Sequence, residues 1–180
     1  MKSETRRWRL RERTAAAHAT VDAEIGQFDT RESYGRYLTS IFQFRAPIEA
    51  ALADADWPPA LGEWRPRMIS TAIGQDLDDL AIPRPPTSSA RIATDSDRLL
   101  GLLYVLEGSA LGARVLFERA KELGLTEAFG ARHLDAQGSD IEGWRTFILI
   151  LERATPFDLE TATSASLATF ALAEAAFERC

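Results

Sequence analysis

Apolar residues recur along this chain at intervals of three and four, and no convincing alternating strand appears. Leu10, Ala17, Val21, Ile25 and Phe28 share one side of a first helix, predicted from Glu4 to about Gly26, a glycine suited to stop it. Asp29, with Glu32 as its capping-box partner, opens a second helix. Tyr34, Tyr37, Leu38, Ile41, Phe42, Arg45, Ile48 and Leu52 keep its rhythm, and Pro47 is expected to kink or divide it. A third helix is predicted over Trp64 to Leu80, with Pro66 near its start. Ile82 to Ala93, carrying Pro83, Pro85, Pro86, Thr87, Ser88 and Ser89, reads as a linker or ordered loop. Thr126 to Gly130 is expected to form one helical turn, and Asp140 to Arg153 a helix with Trp144, Phe147, Ile148 and Leu151. Thr155, Pro156 and Asp158 have the order of an N-cap, N1 proline and N3 carboxylate. They open a final helix to about Glu178, carrying Leu159, Leu167, Phe170, Ala173 and Phe177. The expected fold is all-α, a single compact helical domain over residues 1–180.

The most informative run, Asp95 to Leu123, reads as one long helix with Thr94 and Asp97 spaced as a capping pair. Leu99, Leu103, Leu106, Ala110 and Leu116 or Phe117 keep its apolar rhythm, yet Gly101, Gly108 and Gly112 interrupt it. Each glycine costs about 1 kcal/mol relative to alanine in a helix interior. At about 100° per residue, Gly101 and Gly112 fall within about 40° of Gly108. The result is a bare stripe bordered by Tyr104, Val105, Leu111 and Val115. Two readings fit the stripe: a second helix crossing at Gly108 and Gly112, or a flat ligand lying against the backbone, with a kink at the glycines.

Composition narrows the field. The 46% hydrophobic and 27% charged content is that of an ordinary globular chain. A net charge of −6 argues against a nucleic-acid partner. No apolar run approaches the roughly 18 residues of a membrane span, and no secretion signal follows Met1, so a cytoplasmic location and no membrane partner are expected. The one cysteine is Cys180, which excludes an intrachain disulfide, a cysteine-based zinc site and an iron–sulfur cluster. Arg6, Arg7, Arg9, Arg11 and Arg13 crowd the start of the chain, as a solvated helix face or as a local patch for an anionic group or acidic partner.

Phosphate-loop, nucleophile-elbow and His-Glu-x-x-His signatures are absent. Of the two histidines, His133 reads as a surface residue in a connection. His18 lies on a stripe with Arg11, Thr14, Asp22 and Ile25. Asp22, at i+4, can hold one ring nitrogen and leave the other for a metal. Arg11 is about 10 Å away along the helix, the reach of a cation at the rim of a ligand centred on His18. A polar histidine at a helix boundary is the other reading.

Leu10-Arg-Glu-Arg-Thr-Ala-Ala-Ala-His18-Ala-Thr-Val-Asp22 resembles the proximal helix of the heme oxygenase family, where a histidine binds heme iron. Tyr104-Val-Leu-Glu-Gly-Ser-Ala-Leu-Gly-Ala-Arg114 resembles its distal helix, and Tyr34-Gly-Arg-Tyr-Leu38 is also similar. Bacterial members that supply biliverdin to phytochromes look most alike. Ser109 stands at the aspartate of the Gly-Asp-x-Ser-Gly-Gly pattern, as in the shorter bacterial form, and Ala113 replaces the second glycine of the pair. The resemblance implies heme as both cofactor and substrate, O2, an external electron donor (ferredoxin or reductase), and products biliverdin, carbon monoxide and iron. It assigns His18 to the metal, with Asp22 behind it. Gly108, Ser109 and Gly112 fall at the reacting face, and Gly101, Tyr104, Val105, Arg11 and Arg145 contact the heme. A bacterial phytochrome receiving biliverdin is an implied partner. Proton delivery is left to Ser109, backbone carbonyls, water or a further group. A non-catalytic heme carrier, and a helical interaction module with Gly108 and Gly112 as a dimer seam, are the alternatives.

Overall fold

The computed structural model describes residues 5–26, 28–87 and 95–178. The predicted Thr94 cap, Ser88, Ser89 and Cys180 lie outside the described residues. The fold is all-α, with no strand among the described residues. The α-helices are α1 (Arg6–Ile25), α2 (Arg31–Ala53), α3 (Ser70–Asp79), α4 (Ser96–Gly108), α5 (Ala110–Glu122), α6 (Arg132–Ser139), α7 (Ile141–Arg153) and α8 (Leu159–Phe177). Helix α8 packs against α1, α2 and α4, while α6 joins α5 to α3. One apolar cluster gathers Leu10, Ile48, Leu103, Phe147 and Phe170; a second gathers Phe28, Tyr34, Ile73, Leu134 and Phe177.

Several boundaries differ from the periodic reading because caps come from other residues. Helix α1 stops where expected: Gly26 takes φ +59°, a conformation L side chains rarely adopt. Helix α2 is capped by Thr30 with Ser33, not by Asp29 with Glu32. Pro47 does not divide α2; Phe44, Arg45, Ile48 and Glu49 are buried around it, and that packing carries the helix past the missing N–H. Trp64 to Ile69 is not helical. The buried Glu49 carboxylate accepts the N–H groups of Ile69 (3.0 Å) and Ser70 (2.8 Å), so α3 starts only there. Asp95 caps α4 through the Arg98 N–H. Thr126 to Gly130 is a tight turn in which Thr126 and Phe129 exchange N–H···O bonds, not a helical turn. Asp158, not Thr155, caps α8. Leu167 points outward at 40% exposure.

The run read as one long helix breaks at Ser109 into α4 and α5. Ser96–Glu122 is also, contrary to the expectation above, long and apolar enough to cross a membrane by length and composition. Here α4 is a core helix: Leu99, Leu100, Leu103 and Leu106 are buried.

Candidate functional site

Helix α1 is clamped at its start. Glu152, near the end of α7, accepts the N–H groups of Arg6 (3.0 Å) and Arg7 (2.9 Å), and the Arg6 guanidinium donates to the carbonyls of Leu151 and Ala154. Arg13 pairs with Glu160 of α8. Arg6 and Arg13 therefore fasten the fold and are not free members of a basic patch. Arg7 lies 5.7 Å from the Trp144 ring centroid, and Arg11 lies 4.9 Å from that of Trp8.

Farther along α1, the His18 side chain is 60% exposed, and its Nδ1 lies 2.9 Å from Asp22 Oδ2. Phe170 of α8 meets the ring edge-on at 5.7 Å between centroids. The i,i+4 carboxylate fixes one nitrogen, leaving Nε2 for a ligand. One turn before His18, the buried Thr14 donates its hydroxyl proton to the Leu10 carbonyl at 2.8 Å and lies beside Tyr104 of α4. Burial raises the Tyr104 pKa, opposed by Arg7, Arg11 and Thr14, so both arginines lie near this phenol. Tyr104 also packs 6.0 Å from Trp144 of α7.

The three stripe glycines have different surroundings. At Gly101 an added Cβ would lie 2.1 Å from the Ala162 carbonyl oxygen, so this glycine serves the close crossing of α4 and α8. The Gly101 backbone is thus covered, which corrects its expected place on a ligand face. An added Cβ at Gly108 would meet only Trp144, at 3.7 Å, and one at Gly112 would meet nothing within 4 Å. No helix of the described residues crosses tightly there. Val105 is only 8% exposed and belongs to the core. Leu111 and Val115, bordering Gly112, are 48% and 56% exposed. Arg145 is exposed on α7 and pairs with Glu142.

At the break, the Ser109 hydroxyl donates to the Leu106 carbonyl (2.6 Å) and accepts from Gln137 of α6. Two features escaped the sequence reading. His133 is not on the surface: it is fully buried. Its Nδ1 lies 2.7 Å from Asp76 Oδ2 and its Nε2 3.2 Å from the Tyr37 hydroxyl. Burial lowers its pKa, so the neutral ring donates from Nδ1 to Asp76 and accepts from Tyr37. The second is Glu107, 5% exposed, beside the buried Arg45–Glu49 pair. Only Glu107's adjacency to Gly108 could have signalled it.

Comparison with known proteins supplies the context. Heme oxygenase PigA of Pseudomonas aeruginosa is 33% identical over 69% of this chain, and the match spans 65% of PigA, just under two thirds. A heme oxygenase of Xanthomonas campestris is 31% identical over 68% of this chain and 73% of its own length. The chain belongs to the heme oxygenase family. The heme oxygenase of Neisseria meningitidis, solved with NO and CO bound, superposes with a TM-score of 0.74 at 26% identity, over 98% of this chain and 92% of its own. No protein-family model matches the chain. In this heme oxygenase relative, then, α1 carries an exposed histidine, and two bare glycines flank the α4–α5 break, Gly108 at the end of α4 and Gly112 in the first turn of α5.

Proposed function

We propose that this protein is a cytoplasmic heme oxygenase, acting as one domain over residues 1–180, that cleaves heme to biliverdin with release of carbon monoxide and iron. The observation that carries this reading is the open backbone at Gly108 and Gly112, in a family member whose His18 ring is exposed and tethered. The residues fit the ligand. A side chain at Gly112 would occupy free space that a flat macrocycle needs, and Leu111 and Val115 offer exposed apolar surface beside it. When bound, heme supplies the O2 chemistry as both cofactor and substrate.

The chain does the rest. His18 Nε2 would hold the metal, while Asp22 keeps the ring's orientation and basicity. Bare backbone at Gly108 and Gly112 lets O2 in and excludes bulky side chains from the reacting edge. Arg7 and Arg11, close to Tyr104, supply positive charge for the propionates. Electrons come from a ferredoxin or reductase. The docking surface is then the exposed Arg9 rather than Arg6, which is committed to α7, or Arg7 and Arg11, which serve the propionates. Biliverdin would pass to a bacterial phytochrome.

The test is a hemin titration of the purified protein, followed by reductant in air, monitored by absorption. A saturable one-to-one Soret band that gives way to a biliverdin spectrum supports the enzyme. A stable Soret band with no bilin, despite a competent ferredoxin donor, points instead to a heme carrier. No specific uptake, with dimers weakened by Gly108→Leu, would return Gly108 and Gly112 to a helix seam.

A further inference from the structure

Behind the break between α4 and α5 lies a small cavity of about 10 Å³, room for a single water. Glu107, Arg45, Arg67, Gln137 and Asp140 line it. The charged groups form a closed set. From α2, Arg45 Nε donates to Glu49 at 2.8 Å, and its guanidinium also reaches the carbonyls of Leu106 and Arg67. From the segment before α3, the Arg67 N–H donates to Glu107 at 3.3 Å, and the Arg67 side chain pairs with Asp140 at 2.9 Å. Asp140 caps α7, which carries Trp144 against Gly108. From α6, Gln137 both lines the cavity and donates to Ser109.

Glu107 is the member of this set without an ion-pair partner of its own. Arg45 is committed to Glu49, and the Arg67 guanidinium to Asp140. A carboxylate so placed, with one weak N–H bond and a water-sized space before it, is shaped to take up and release a proton. We propose that Glu107 is the proton-holding residue behind the distal helix, passing a proton through the cavity water to Ser109 at the break.

The proton leaves the Glu107 carboxyl and is taken by the cavity water. Ser109 lies just outside the cavity lining, beside Leu106, Ala110 and Gln137; its hydroxyl turns from the Leu106 carbonyl to take a proton from that water as it releases its own. The Ser109 proton moves on toward the open face at Gly108 and Gly112, and the Glu107 carboxylate is reprotonated from solvent past the half-buried Gln137 and Asp140. One proton enters and one leaves at each pass, and no electrons move. Burial pushes the Glu107 pKa up to about 7, with Arg45 and Arg67 opposing and Asp140 adding to the rise. An acid of that strength is well matched to work near neutral pH. Glu107 thereby fills the role left open where the family's aspartate is replaced by Ser109.

The proposal rests on the heme oxygenase reading, and the experiment separates the two. Infrared titration of the whole protein without heme should show a protonated-carboxyl stretch that disappears with a midpoint near 7, and that is missing in Glu107→Gln. The hemin-loaded protein is then assayed with reductant from pH 5.5 to 8.5. Glu107→Gln is expected to bind hemin within about twofold of wild type, turn over at least tenfold more slowly, and lose the decline in rate that wild type shows above pH 7. Glu107→Asp should restore a titrating rate. Glu107→Gln keeps an oxygen for the Arg67 N–H, and a melting curve reports whether it folds. Absence of a titrating band, or a Glu107→Gln rate and pH profile equal to wild type, overturns the proposal. A titrating band in a protein that binds but never converts hemin overturns the relay, and traces the failure to the function rather than to Glu107.

Discussion

His18 and His133 share a side chain and almost nothing else. His18 stands on α1 with one carboxylate on Nδ1 and most of its ring in solvent. His133 is sealed between Asp76 and Tyr37, and its backbone N–H also donates to Asp76 at 3.1 Å. Asp76 further accepts the Arg132 N–H and guanidinium, so one buried carboxylate holds two neighbouring residues of α6 to α3. A histidine whose ring nitrogens both have partners is committed to structure. A histidine with one nitrogen tethered is pre-set for a ligand. The glycines repeat the contrast: Gly101 is filled by the α8 backbone, while Gly112 is open.

The largest effect should come from breaking the sealed side. Asp76→Ala leaves His133 and Arg132 facing an empty buried site, and is expected to cost about 3 to 5 kcal/mol, read as a lower denaturant midpoint. His18→Ala should stay within about 0.5 kcal/mol of wild type, yet lose histidine-ligated heme and normal turnover. Equal stability losses for the two would erase the distinction.

Gly101→Ala comes next. The methyl would sit 2.1 Å from the Ala162 carbonyl oxygen, and the overpacking should cost about 1 to 3 kcal/mol or more. The difference in pH response sharpens the picture further. Glu107 is raised from 4.5 to about 7 in the folded protein, so the folded state binds more protons than the unfolded state within that window. Stability contributed by the protonated group is therefore full below about 4.5 and lost as pH rises toward 7. At about 1.4 kcal/mol per pH unit, the loss is roughly 3 to 4 kcal/mol. Chemical denaturation of wild type and Glu107→Gln across that range should show the slope in the first and not in the second.

The smallest effect belongs to Gly112→Ala, which meets no neighbour and should gain up to about 1 kcal/mol from helix propensity. Gly112→Leu should also fold, while weakening hemin binding at least tenfold by titration. Normal hemin affinity in Gly112→Leu would remove the open glycine face from the site.

What the chain's own order determined is what lies within a turn or two. The helical period, the stop at Gly26 and the His18–Asp22 pair follow from i, i+3 and i+4 geometry, which any α-helix enforces. The His18 and glycine motifs were legible for the same reason, as was the resemblance they carry. Only the tertiary structure decided which glycine is covered, because that depends on where α8 crosses α4. It also placed Glu49 on the first N–H groups of α3, 20 residues away, and Asp76 on His133, 57 residues away. No local pattern marks such pairs. A buried carboxylate or imidazole is tolerated only where distant donors complete it, so its burial is known only once the helices have met.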